Sequence, residues 1–184
     1  QGSTIDTFGA TSAAATLSGA DATLVVGQGA QLATHGTTSH AALVFAAAAD
    51  VSIRSGGAVM TDQDDSIGLF FINPDGANTV NNSGSVATAG SAIVSAGALR
   101  LNNHGRAVSS AGTGVDLASG WIWNHGLIAG EAAILRGSGG SGPVNIENHG
   151  RILANAGPGN VAIELLGAMD DTLSVASNGI VVGT

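Results

Sequence analysis

The chain has no cysteine, no tyrosine and no lysine, and its 184 residues include only four Phe and two Trp. Without cysteine no disulfide can staple the fold, and the chain could cross an oxidising compartment without mispairing. Charge is scarce too, at 10% of residues, with five arginines against 13 acids and a net charge of −8. Binding to nucleic acid through phosphates, or to an anionic membrane, needs a basic surface that this balance does not suggest. No run reaches the ~18–20 apolar residues of a spanning helix, so no membrane insertion by this segment is expected. The start at Gln1 shows no basic, Met-initiated signal peptide, which reads as a mature product or an excised portion of a longer chain.

Glycine is plentiful, with 29 residues, and apolar residues make up 44% of the chain. Ala and Val supply much of that share, so the core must pack small side chains in a narrow, regular way. Disordered chains are poor in Val and Ile and usually highly charged; this one is neither and should fold.

A repeat organises it. An apolar anchor is followed four residues later by Gly and six later by a second apolar residue in VNNSGSV (80–86), LNNHGRA (101–107), IWNHGLI (122–128) and IENHGRI (146–152). IRSGGAV (53–59) and VASNGIV (175–181) fit the same frame, and VGQGAQL (26–32) fits with Ala30 in the glycine place. The anchors Val26, Ile53, Val80, Leu101, Ile122, Ile146 and Val175 are 27, 27, 21, 21, 24 and 29 residues apart. That unit length marks a solenoid. Residues before each anchor alternate with period two, as in a strand. The glycine permits a left-handed or tightly bent backbone, and the second apolar residue opens another strand. Further β-rich pieces lie at 92–94, 115–117, 132–135 and 161–165. Three short strands per turn, about seven turns and no helical periodicity predict an all-β parallel β-helix, one domain over 1–184. Segments 61–68 (acidic), 137–143 and 155–160 read as loops.

Equivalent positions in stacked turns lie above one another. Asn82, Asn103, Asn124 and Asn148 share one column and should form a structural ladder of side-chain amides. His104, His125 and His149 occupy the next column, close enough to share a metal. A flat stack lacks the convergence zinc requires, so they are weak metal candidates and no cofactor is expected. Ile122 points inward, which turns Trp121 and Trp123 outward from a mostly polar face. The pair is the candidate contact patch, open to sugar, lipid or protein, or covered by a loop or a neighbouring molecule. Asp62, Asp64 and Asp65, and Asp170 with Asp171, read as solvated or turn-forming acids rather than a glycosidase pair or a calcium loop. No catalytic residue is assigned. Threonines are scattered, without the outward Thr-x-Thr ladder an ice-binding face would want.

GAMDDTLSVASNGIVVGT (167–184), the looser copy GADATLVVGQGAQL (19–32) and the [VLI]-x-N-[SH]-G-x-[IVA] units resemble the passenger region of bacterial autotransporters (type V secretion). The resemblance implies a right-handed β-helix, secreted or displayed on the outer surface of a Gram-negative bacterium. It implies a non-catalytic role in adhesion, self-association or as a stalk, with another copy or a surface glycan or protein as partner. The family's C-terminal membrane barrel and inserted protease domain have no counterpart here, so their activities do not carry over. The alternative is a carbohydrate-binding or carbohydrate-active β-helix, marked by an acidic pair beside an aromatic groove.

Overall fold

The structure, a computed structural model, describes residues 3–137 and 139–183. Gln1, Gly2, Thr184 and, within the 137–143 segment, Ser138 lie outside the described residues. Regular structure among them is all β, with no helix. The strands pair in parallel at separations close to the repeat length, as in Ser85↔Arg106 and Leu127↔Arg151. That pattern is consistent with a parallel β-solenoid.

One sheet has eight strands in chain order: Thr4–Thr7, Gln31–Thr34, Ala58–Thr61, Ser85–Thr88, Arg106–Ser109, Leu127–Gly130, Arg151–Ala154 and Ile180–Val182. The other has twelve strands in two branches. Ala13–Leu17, His40–Val44 and Ile67–Phe71 begin the first branch; Ala132–Arg136 and Val161–Leu165 end it. Asp21–Val26, Ala48–Ile53 and Ala77–Asn82 begin the second; Val144–Asn148 and Thr172–Val175 end it. Two long strands, Ile93–Asn103 and Val115–Asn124, belong to both, and their mutual register shifts between Ser95 and Ala98. The β-rich pieces noted at 92–94, 115–117, 132–135 and 161–165 lie in or overlap these strands. Segment 155–160 is a connection, whereas 61–68 is shorter than expected, because Thr61 ends one strand and Ile67 opens the next.

The core follows from alternation. Along Ile93–Asn103 every second residue is buried, and Leu99, Leu101, Ile122, Ile128, Ile134 and Ile152 are at most 1% exposed. Small side chains fill the remainder, with Ala41, Ala42, Ala92, Ala107 and Ala133 fully buried. At ~25 cal/mol per Å² of apolar surface removed from water, such narrow columns stabilise the fold through number rather than size.

Pairing corrects the repeat frame at its outer copies. The sequence alignment places Val26, Ile53 and Val175 with Val80, Leu101, Ile122 and Ile146. In the structure those three stand instead in the asparagine column, through Val26↔Ile53, Ile53↔Asn82 and Asn148↔Val175. Leu24, Val51 and Leu173 take the anchor column. The second apolar column, Leu32, Val59, Val86, Ala107, Ile128, Ile152 and Val181, holds throughout. Turns built on Val26 and Ile53 therefore carry two more residues at the corner than turns built on asparagine.

The glycine after the anchor also has a different cause from the one expected. Gly84, Gly105, Gly126 and Gly150 do not have positive φ. A Cβ on any of them would strike the carbonyl oxygen of the glycine one turn earlier: Gly57, Gly84, Gly105 and Gly126 respectively. Stacked backbones, not local bending, require glycine there. Left-handed φ belongs to the longer corners, at Gly29 (70°) and Gly56 (77°).

Candidate functional site

The asparagine corner positions the outer face. Asn82, Asn103, Asn124 and Asn148 are fully buried. Each Nδ2 of the first three donates to the next residue's Oδ1 at 2.8 Å. The same amides donate to backbone carbonyls of Arg106, Leu127 and Arg151, and Asn148 donates to Ile180. Oδ1 of Asn82, Asn124 and Asn148 also accepts from the N–H two residues on. A two-residue corner is thus closed by side chain, and every residue alternating with these inward amides is turned outward.

Three outward columns run beside the ladder. The first holds Thr79, Arg100, Trp121 and Asn145; the second holds Asn81, Asn102, Trp123 and Glu147. The third, read from the corner hydrogen bonds, holds Arg54, Ser83, His104, His125 and His149. Trp121 and Trp123 both face out, as their alternation with Ile122 requires, and Trp121 is 47% exposed. Their rings stack with centroids 5.3 Å apart and an interplanar angle of 23°. The Arg100 guanidinium lies 4.8 Å from the centre of the Trp123 ring, a cation–π distance. On the other side, the Trp123 indole N–H donates to Glu147 Oε2 at 2.9 Å, and Glu147 Oε1 meets His149 Nε2 at 2.7 Å. Beside Trp121, a shallow depression of about 260 Å³ is lined by residues that include Thr79, Leu99, Arg100 and Gly120.

The histidines stack ring on ring, His104 to His125 at 4.8 Å and His125 to His149 at 4.7 Å. Parallel rings turn their faces, not their nitrogen lone pairs, toward each other. No group of three or more His, Asp or Glu among the described residues is arranged to hold a metal.

Hydrogen bonds from His149 first and Trp123 second hold the Glu147 carboxyl below the usual carboxylate range. A glycosidase acid must be shifted the other way, so Glu147 is anchored as an acceptor. The carboxyl pushed upward, by burial, is Asp116, which pairs with Val94 and Leu135 on the other branch of the sheet, away from the tryptophans.

The acidic segment does not reach the tryptophans. Asp62 Oδ2 accepts from His35 Nδ1 at 2.7 Å, and Ser66 Oγ donates to the Gly36 carbonyl at 3.0 Å, at a different corner. Asp62 is held below its ordinary value by that His35 hydrogen bond. Asp171, read as a solvated or turn-forming acid, bonds to buried groups: its Oδ1 accepts from Arg136 Nη1 at 2.5 Å and from the Val144 N–H at 2.8 Å. Arg136 is fully buried and also donates to the carbonyls of Gly142 and Leu166.

Two features of the sequence escaped the repeat frame. Ser12, Ser39 and Ser66, at 27-residue spacing, form a second polar column at another corner. Four of the five arginines are exposed: Arg100, Arg106 and Arg151 beside the asparagine corner, and Arg54 at the longer Ile53 corner in line with it. None of the four is in an ion pair among the described residues. Neither grouping shows in a linear scan, since the residues belong to different turns.

No family model, curated protein or solved structure matches this chain.

Proposed function

We propose that this chain is a secreted or surface-displayed β-helix that works by contact rather than by catalysis. In this reading the solenoid is right-handed, with about seven coils of three short strands, and belongs among autotransporter-type passengers of Gram-negative bacteria. Its task is adhesion or self-association. The observation that carries the proposal is the Trp121–Trp123 pair, held outward on a ladder-braced sheet with Trp121 half open to solvent. Large flat indoles on a fixed scaffold lose little entropy on binding, which suits them to recognition. The carboxylate bonded to the pair, Glu147, is tied down by two partners. A pair of acids suited to glycoside cleavage is therefore not assembled around it.

Tryptophan emission with acrylamide quenching across a concentration series tests this reading, since the chain's two tryptophans both lie in the face. Red-shifted, readily quenched emission at all concentrations is the result for a face open to a foreign ligand. Emission that turns blue and protected as concentration rises identifies the face as a self-association contact. Blue, protected emission at high dilution would mean the indoles are covered within one chain, and the proposal would fall.

A further inference from the structure

The tryptophans lie among most of the positive charge in an acidic molecule. The chain has five arginines against 13 acids, and the exposed arginines are not scattered. Instead Arg100 lies beside the pair, His104-Gly105-Arg106 and His149-Gly150-Arg151 carry arginines around the corner, and Arg54 stands in the histidine column. Four guanidiniums without an acidic partner frame a strip whose middle row is Trp121, Trp123 and His125 in one strand and its turn. The two acids that border the strip are both engaged: Glu147 by His149 and Trp123, and Asp50 by the Asn81 amide at 3.4 Å.

Three demands on a ligand follow. It must present a flat, weakly polar face to the open side of Trp121. It must fit a depression of about 260 Å³, roughly the size of one pyranose ring. It must also carry negative charge spaced along a chain, to meet arginines two turns apart, roughly 10 Å at ~4.8 Å per turn. Sugar rings present C–H faces to indoles, and guanidinium forks match carboxylate or sulfate oxygens in pairs. We propose that the asparagine corner binds an anionic glycan, with one ring and an acidic group against Trp121 and Arg100 and the chain continuing over the corner to Arg106 and Arg151 at the start of the eight-stranded sheet. This inference rests on the contact reading above and specifies its ligand.

The test is calorimetric titration of the intact chain with four probes: a galacturonate hexamer, a heparin hexasaccharide, maltohexaose and a short DNA duplex. Binding of galacturonate places the affinity in carboxylates, and binding of heparin alone places it in sulfates; either result supports the inference. In both cases maltohexaose should bind at least about tenfold more weakly, and added salt should weaken the anionic complex. Arg100→Gln and Trp121→Ala should each weaken it about tenfold or more, the loss expected for a charge-assisted contact. Met60→Gln, on the outside of the eight-stranded sheet, should leave it unchanged. Circular dichroism of each variant separates lost binding from lost folding, and Arg100→Lys, which keeps charge without the fork, should fall between wild type and Arg100→Gln. Equal binding of maltohexaose, tighter binding of DNA than of either acidic glycan, or no binding to any probe would overturn the inference. If in the last case emission still turns blue with concentration, the contact reading survives as self-association; if it does not, both fail.

Discussion

The first turns and the middle turns close the same corner by different means. At Val26 and Ile53 the corner is apolar inside, two residues longer, and held by backbone turns in which Ala30 N–H reaches the Gly27 carbonyl and Gly57 N–H reaches Arg54. At Asn82 through Asn148 it is polar inside, two residues shorter, and held by side-chain amides. The early turns have their polar column elsewhere, at Ser12, Ser39 and Ser66. A buried amide is tolerated only when its donors and acceptors are met, and here they are met by the asparagines of neighbouring turns together with corner backbone. The shorter corner is the one that presents both tryptophans, the three stacked histidines, and Arg100, Arg106 and Arg151.

The largest effect should come from breaking the ladder at its middle. Asn103→Leu removes the acceptor of Asn82 and the donor to Asn124 and Leu127. With two or three buried groups left unmet, it should destabilise by about 3–5 kcal/mol, read by urea unfolding. An equally stable variant would show that the ladder is incidental to the fold. Gly105→Ala should cost about 2–3 kcal/mol, because its Cβ meets the stacked Gly84 carbonyl, which is backbone and cannot swing aside. At the longer corner, Gly56→Ala should cost about 1–2 kcal/mol from left-handed strain alone. The comparison sharpens with asparagine, which visits that region readily: Gly56→Asn should recover most of the loss, while Gly105→Asn should be no better than Gly105→Ala. If both respond alike, the two corners do not differ as described.

The smallest effect concerns a residue at neither corner. Burial raises the Asp116 carboxyl above its usual 3.8, so the folded chain holds this proton more tightly than the unfolded one does. Its contribution is fully present below pH 3.8 and is lost as pH rises through the raised folded value. Asp116→Asn should therefore raise the melting temperature at pH 7 by a degree or two, a change of under about 1 kcal/mol, and have no such effect at pH 3. A variant equally stabilised at both values would rule out desolvation of the carboxylate as the cause.

Most of the architecture was legible because period-two alternation and a 21-residue repeat are both visible in one dimension. The same alternation hid the slip at the outer copies. Leu24 and Val26, Val51 and Ile53, and Leu173 and Val175 are equally apolar, and a shift of two residues keeps every side chain on its own face. Only the longer corner reveals it. The inner copies, marked by Asn-[Ser/His]-Gly, carry no such ambiguity, and pairing keeps their anchors Val80, Leu101, Ile122 and Ile146 in one column. Net charge masked the arginine corner, because a sum over the chain cannot show that its cations share one edge. Arg136 was invisible for the opposite reason: nothing in its neighbours announces that a guanidinium will be enclosed by carbonyls and Asp171.

The asparagine corner has a consequence for how such a chain can grow. Each amide takes as its partner the same group one turn away, and each corner glycine packs on its own counterpart. A 21-residue unit such as 103–123 thus carries both halves of its own joint. Duplicating it in place would add one rung to the rod and require no new mating surface. Length in this region is an adjustable quantity, open to change by copying a unit rather than by redesign, and an edge laid along it would lengthen in equal steps.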